Sequence, residues 1–208
     1  MKVTVIGSGN MGSGFVKQLK KAGHHVRVTG RNAEKAQQLA AQHGARAVGA
    51  SEAAASDVLV LATGYADAVP ALQALGAIDG KVVVDVTNPL TADYMGLTIG
   101  HTTSAAEEIA RAVPSSRVVK AFNTVFASVL AEGAGLGAGK TVPVFVASDD
   151  APAKAAVSEL ARSIGFEVID AGGLKNARYL EPLAGLNIYL GYGAGLGTQI
   201  APTWLRQA

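Results

Sequence analysis

Short runs of β-branched residues alternate with stretches of helical periodicity along the whole chain. Val3–Ile6 is the first such run and ends in glycines. Met11, Phe15, Val16 and Leu19 then recur at helical spacing, which predicts a helix over Met11–Ala22 with Gly23 as its stop. His25–Thr29 reads as a second strand. Asn32 is placed to cap a helix over Ala33–Gln42, and Gly44 to close it. A weak strand near Ala45–Val48 and a short Ala-rich helix follow. Val58–Leu61 is apolar at every position, the mark of a strand buried on both faces. A helix over Tyr65–Leu75, with Pro70 as an irregularity, leads to a strand at Lys81–Asp85. A long loop then runs to Thr103. Ser104 and Glu107 have the spacing of a capping box for a helix through Ala112. Beyond lie a strand at Arg117–Ala121, a short helix near Ala127 and a Gly-rich loop at Gly133–Gly139. A strand at Pro143–Ala147, a helix at Ala151–Ile164, a strand at Glu167–Ala171 and a mostly helical tail complete the pattern.

Such alternation implies an α/β fold of the Rossmann type: a doubly wound, mainly parallel sheet with helices on both faces and right-handed crossovers. The chain is 208 residues long, the size of one domain with a short helical C-terminal extension. Residues 1–112 form the expected nucleotide-binding half, and residues 113–208 the part that extends the sheet and adds the tail.

Composition narrows the function. With no cysteine, disulfides, thiolate catalysis and cysteine metal sites are excluded. His24, His25, His43 and His101 lack the i, i+4 spacing and acidic company of a metal site, so no metal is expected. A net charge of +2 without a basic run points to neither nucleic acid nor an anionic membrane. The longest apolar stretch, Leu183–Ile200, is interrupted by Asn187 and five glycines, which suits a packing segment better than a membrane span. A cytoplasmic protein is expected.

Gly7-Ser8-Gly9-Asn10-Met11-Gly12 fits G-x-G-x-x-G and stands between the first strand and the first helix, the context that gives this pattern meaning. Gly7 permits the tight turn, Gly9 lets a pyrophosphate approach the backbone, and Gly12 lets helix and strand pack closely. The helix start supplies free N–H groups and the positive end of the dipole. At the end of the second strand an NAD-preferring site carries Asp or Glu for the ribose 2′-hydroxyl. Here the residues are Gly30, Arg31 and Asn32, with Lys35 one turn on. Gly30 leaves space, Arg31 offers a planar fork to a 2′-phosphate, and Asn32 and Lys35 can add donors. NADP is therefore the expected cofactor.

In open α/β sheets ligands lie across the carboxyl ends of the strands. Ala62, Thr63, Gly64 and Tyr65 follow the fourth strand and belong near the pyrophosphate or the nicotinamide ribose. Asn88 follows the fifth strand, and Asn123 and Thr124 the sixth. The two asparagines can serve the nicotinamide amide or a second ligand, or simply cap their loops. Asp85 is expected to bond nearby loop N–H groups rather than act as an acid. No Ser/His/Asp set is credible, and no tyrosine is followed by lysine four residues on, which argues against alcohol oxidation through an activated tyrosine.

Taken together, several segments resemble the NADPH-dependent deazaflavin (coenzyme F-420) oxidoreductases and the cytosolic reductase domain of the six-transmembrane metalloreductases. They are Gly7–Gly12, Gly30–Lys35, Val84–Pro89, Val118–Thr124, and Asp170–Leu174 leading into Arg178. The resemblance implies hydride transfer between NADP(H) and a flavin-like ring, deazaflavin or FMN/FAD, stacked on the nicotinamide. Such an enzyme aligns two cofactors and needs no acid–base residue for the hydride itself. Asn123 and Thr124 would then flank the ring, with Asn123 donating to its carbonyls. Asn123-Thr124-Val125-Phe126 departs from the archaeal deazaflavin pattern, which has His first, and is closer to the metalloreductase one. Rival readings are a small imine or carbonyl reductase, a family that usually adds a long helical dimerisation domain, and a non-catalytic NADP-sensing module. The apolar tail suggests a homodimer, and a small-molecule redox acceptor is the expected partner.

Overall fold

The alternation written in the sequence is realised in a computed structural model that describes residues 1–137 and 139–204. Residue 138, in the predicted Gly-rich loop, and residues 205–208, at the end of the predicted C-terminal extension, lie outside the described residues. The first half contains β1 (Lys2–Ile6), α1 (Asn10–Lys21), β2 (His25–Thr29), α2 (Ala33–His43), β3 (Arg46–Ala47), α3 (Ala50–Ala54), β4 (Val58–Leu61), α4 (Tyr65–Gln73), β5 (Val82–Asp85) and α5 (Ala105–Ala112). The second contains β6 (Arg117–Lys120), α6 (Ala127–Glu132), β7 (Pro143–Val146), α7 (Ala151–Ser163), β8 (Glu167–Asp170) and α8 (Ala177–Ile188).

Six strands form one parallel sheet in the order β3-β2-β1-β4-β5-β6. The order reverses between β1 and β4, which leaves a crevice at their carboxyl ends. Successive residues of the central strands feed opposite faces. Val58 and Val60 join Phe15 and Leu19 of α1 in one core, while Leu59 and Leu61 join Leu72 of α4 and Ile109 of α5 in the other. That two-sided burial explains why these strands are apolar at every position. Each such side chain contributes about 1.5–3 kcal/mol relative to exposure.

Three local details differ from the sequence reading. First, β7 and β8 do not extend the six-stranded sheet as further parallel neighbours. They form a parallel pair of their own, joined to β6 only by an antiparallel bridge between Lys120 and Ala147. The cause lies in α6, which packs along α1, with Leu130 against bare Gly14 and Gln18 donating to the Ala131 carbonyl at 3.0 Å. The chain therefore comes back running against β6. Second, Pro70 leaves α4 continuous, because it stands on an exposed side of the helix. Third, the tail is helical through α8 and a wider turn at Tyr189–Gly193, then irregular, with Gly195 and Gly197 at φ of 74° and 77°.

Among the described residues no helix is long and apolar enough to cross a membrane, and no His/Cys/Asp/Glu group is placed to hold a metal ion.

Candidate functional site

The glycines of the loop between β1 and α1 meet different surroundings. Gly7 has φ 118°, and a Cβ there would run into the Ala62 carbonyl oxygen of the neighbouring strand. A Cβ on Gly12 would run into the carbonyl of Gly7 itself, so α1 closes directly on its own loop. Gly9 is different: a Cβ there would meet nothing within 4 Å. It is also the N-cap of α1 and makes no side-chain bond. The first N–H groups of a helix have no partner within it, so this open surface offers donors and a positive dipole end.

Gly7, Ser8 and Gly9 form one wall of a cleft of about 970 Å³ at the β1/β4 reversal. Gly30, Arg31, Asn32 and Lys35 line it from the end of β2, and Ala62, Thr63 and Gly64 from the end of β4. Arg31 is 89% exposed and reaches across to Asp67 of α4 at 3.2 Å. An exposed pair of this kind is worth about 0–1 kcal/mol, so a stronger anion can take the guanidinium. Asn32 caps α2, its side-chain oxygen accepting the Lys35 N–H at 2.9 Å, which commits that oxygen but not its amide N–H₂.

On the other side of the loop lies a smaller pocket of about 160 Å³. Met11 of the phosphate loop, Asn88, Asn123 and Thr124 line it, together with Asn187 and Ile188 of α8. The two asparagines predicted at separate strand ends are bonded to each other. Asn88 Nδ2 donates to the Asn123 carbonyl at 2.8 Å, and Asn123 Nδ2 donates to Asn88 Oδ1 at 3.0 Å. Asn123 Nδ2 also donates to the Leu180 carbonyl at 2.8 Å. This corrects the expectation that Asn123 supplies donors to a ring. Both of its N–H groups are committed within the protein, and its side-chain oxygen is left as a buried acceptor without a partner among the described residues.

The turn that presents Asn123 is strained. Phe122 has φ 62°, a left-handed conformation that non-glycine residues rarely adopt. It is fully buried and held edge-on between Phe15 and Phe166, with ring centroids 4.9 and 5.7 Å away. Packing fixes a backbone conformation that costs of order 1–3 kcal/mol.

Behind this edge stands a buried charge cluster. Lys120, fully buried at the end of β6, donates to Asp85 at 2.9 Å and to Glu181 of α8 at 2.8 Å. Its ammonium also reaches the Thr87 carbonyl at 2.6 Å. Glu181 in turn accepts the N–H groups of Ala105 and Ala106 at the start of α5, at 2.9 and 3.2 Å. Asp85 accepts the Thr87 N–H at 2.8 Å, the loop-holding role expected of it. Lys120 and Glu181 were not singled out by sequence reasoning; the one available signal was a lysine and a glutamate inside otherwise apolar segments.

The predicted capping box is half present. Ser104 Oγ accepts the Glu107 N–H at 3.2 Å, but the Glu107 carboxylate turns away to take the Ser104 hydroxyl and Arg178 Nη2 and Nε, at 2.7 and 2.8 Å. Those bonds hold Glu107 below the usual carboxylate range. Glu181 takes the next two N–H groups of the helix start.

Of the predicted site residues, Asn10, Gly12 and Tyr65 line neither space. Asn10 is exposed in the first turn of α1, and Gly12 is buried under it. Tyr65 starts α4, its phenol pushed above the ordinary range by burial and then by the Glu108, Glu181 and Asp85 carboxylates. Among the described residues three buried side-chain oxygens lack a hydrogen-bond partner: Thr63 Oγ1, Thr87 Oγ1 and Asn123 Oδ1. All three stand just beyond the carboxyl ends of β4, β5 and β6, where a ligand is expected.

Comparison with known proteins points the same way. A sequence profile described as NADP oxidoreductase, coenzyme F420-dependent, matches residues 2–89. The F420-dependent NADP reductase of Methanothermobacter marburgensis is 34% identical over 213 residues, covering 91% of this chain and 92% of that protein. Metalloreductase STEAP3 of Rattus norvegicus is 32% identical over 183 residues; the match takes in 88% of this chain but spans only 36% of that longer protein. A crystal structure of an Arthrobacter sp. FB24 protein, described as a candidate F420-dependent NADP reductase, superposes with a TM-score of 0.88 at 32% identity, over 99% of this chain and 100% of that one. An imine reductase from Pseudomonas sp. shares the fold, with a TM-score of 0.69 at 24% identity over 93% of this chain and 63% of that one.

Proposed function

The chain belongs to the family of coenzyme F420-dependent NADP oxidoreductases, and from that premise we propose that it carries hydride between NADP(H) and a deazaflavin or flavin ring. One observation carries the reading: the phosphate loop has Gly7 and Gly9 in the wide cleft and Met11 in the narrow pocket, so a dinucleotide laid over it reaches both. Bare Gly9 and the free start of α1 fit a pyrophosphate. Arg31 and Lys35, with no carboxylate at the end of β2, fit a 2′-phosphate. When bound, NADPH supplies a hydride that, with one proton from solvent, reduces the acceptor ring. The protein's own part is to hold and orient. Asn88, Asn123 and Thr124 shape the inner pocket, apolar walls keep water from it, and the buried cluster at Lys120 fixes the strand ends beneath. Among the described residues that line the inner pocket none is an acid or a base, as suits hydride transfer between two aligned rings.

Deazaflavin is the leading acceptor, since the full-length relative of comparable size is an F420-dependent NADP reductase. Exposed Leu186, Tyr189 and Tyr192 on α8 and the turn after it, with Tyr94 and Met95 beside them, support a homodimer through this face. The test is an acceptor screen with NADPH and NADH against deazaflavin, FMN, FAD and ferric chelates. Reduction of deazaflavin or flavin is expected with a preference for NADPH, and Arg31→Ala should remove most of that preference. One charge-assisted contact to phosphate contributes about 1.5–3 kcal/mol, roughly a 10- to 150-fold preference. Turnover of a small imine or carbonyl compound without any flavin reduction would overturn the proposal, and so would equal affinity for both nucleotides.

A further inference from the structure

We propose that Asn123 recognises the carboxamide of the nicotinamide ring, its side-chain oxygen accepting one carboxamide N–H, so that this residue sets which pyridine dinucleotides the inner pocket takes. The inference rests on the proposed function and names the group that completes it.

Asn123 is only 6% exposed, and its orientation is fixed by its neighbours. Its amide nitrogen serves two acceptors, the Leu180 carbonyl at 2.8 Å and Asn88 Oδ1 at 3.0 Å. Asn88 is fixed in turn, because its own nitrogen serves the Asn123 carbonyl at 2.8 Å. Turning the Asn123 amide over would set oxygen against two oxygens. Its Oδ1 therefore stays where it is, buried and without a donor among the described residues. A buried acceptor left in that state is destabilising unless a donor arrives.

The pocket it lines selects the donor. A space of about 160 Å³ is the size of a single six-membered ring with a small substituent. Its walls are largely apolar, from Met11, Val86, Val125, Ala127 and Ala184, which suits an aromatic face. The remaining amide, Asn187, spends its nitrogen on the Thr124 carbonyl at 3.1 Å. A ligand that follows the loop past Met11 therefore ends beside Asn123 Oδ1, a buried acceptor with no donor among the described residues, with the Asn187 oxygen and the Thr124 hydroxyl also in the lining. A carboxamide N–H₂ meets that requirement; a carbonyl or a methyl does not. The acceptor ring then stacks outside this pocket, against the exposed face of the nicotinamide.

The 3-acetylpyridine analogue of NADP⁺ has nearly the shape of the natural cofactor but carries a methyl where the carboxamide has N–H₂. The thionicotinamide analogue keeps the N–H₂. Calorimetric dissociation constants of the wild-type chain should be similar for NADP⁺ and the thio analogue. That for the acetyl analogue should be about 5- to 150-fold weaker, the range for leaving a buried acceptor unmatched. In Asn123→Ala, NADP⁺ should weaken while the acetyl analogue does not, so the ratio collapses toward one. If that variant fails to fold, the wild-type ratio decides alone. Equal wild-type binding of NADP⁺ and the acetyl analogue would overturn the assignment of Asn123, and so would discrimination that survives in a folded Asn123→Ala. Absence of any NADP⁺ binding would instead bring down the proposed function, and this inference with it.

Discussion

Replacing Glu181 with alanine isolates what the buried charge cluster contributes. The carboxylate is 1% exposed and accepts three hydrogen bonds, from Ala105 N, Ala106 N and Lys120 Nζ. Lys120 would keep Asp85 and the Thr87 carbonyl, so its charge would not be stranded. The two backbone N–H groups at the start of α5 would have no replacement, since both residues are fully buried. Leaving a buried donor unmatched costs about 1–3 kcal/mol. Two such donors together cost about 2–6 kcal/mol, so a loss near 4 kcal/mol is expected. In a domain of this size each kcal/mol lowers Tm by about 2–4 °C, which gives roughly 8–16 °C. Circular-dichroism melts of wild type, Glu181→Ala and Arg31→Ala would measure it. Arg31→Ala is the exposed-pair comparison and should stay within about 4 °C, because a surface ion pair is worth at most about 1 kcal/mol. The Glu181→Ala loss should also persist at high salt, since buried pairs are little screened. A drop below about 3 °C would refute the idea that Glu181 anchors α5 and α8.

The glycines of the phosphate loop should separate by role. Gly7→Ala meets both a φ of 118° and the Ala62 carbonyl, and should lower the unfolding free energy from denaturant titration by more than about 1 kcal/mol, whereas Gly9→Ala should melt normally and lose NADPH in calorimetry; the reverse ranking would contradict the geometry. Glu107 gives a pH dependence. Arg178 and Ser104 hold its folded pKa below the ordinary 4.5, so its contribution is complete above that value and lost as pH falls through the folded one. Glu107→Gln should therefore be less stable than wild type at pH 7 and converge on it as pH falls through the lowered folded pKa, as read from urea midpoints.

Most of the fold is legible because its causes are local. Two-sided burial writes Val58–Leu61 as an unbroken apolar run, and a helix cap needs only Asn32 and the N–H three residues on. The misplaced features are those decided by distant partners. Nothing near β7 in sequence announces that α6 will lie along α1 and turn the chain back against β6. Lys120 reads as the polar end of a strand, yet it is buried because Asp85 and Glu181, 35 and 61 residues away, converge on it. Glu107 has the spacing of a capping residue but is drawn to Arg178, which makes a bidentate claim on it, while Glu181 takes the next two N–H groups of the helix start.

The same division runs through the site. The phosphate loop can be read from six residues, because each glycine answers a demand of the backbone beside it. The inner pocket cannot, although Asn88 and Asn123 are both visible as polar residues at strand ends. Whether Asn123 offers a donor or an acceptor depends on which neighbours consume its amide. One of those is a backbone carbonyl, Leu180, supplied by a helix whose sequence carries no mark of the task. A carbonyl is present at every residue, so only the path of α8 decides that this one is used. That path is set partly by Glu181, the next residue, through its bonds to α5 and Lys120. The chemical sense of the pocket thus follows from the buried charge behind it, and a change at Glu181 should weaken NADP⁺ binding even though its side chain lines neither space.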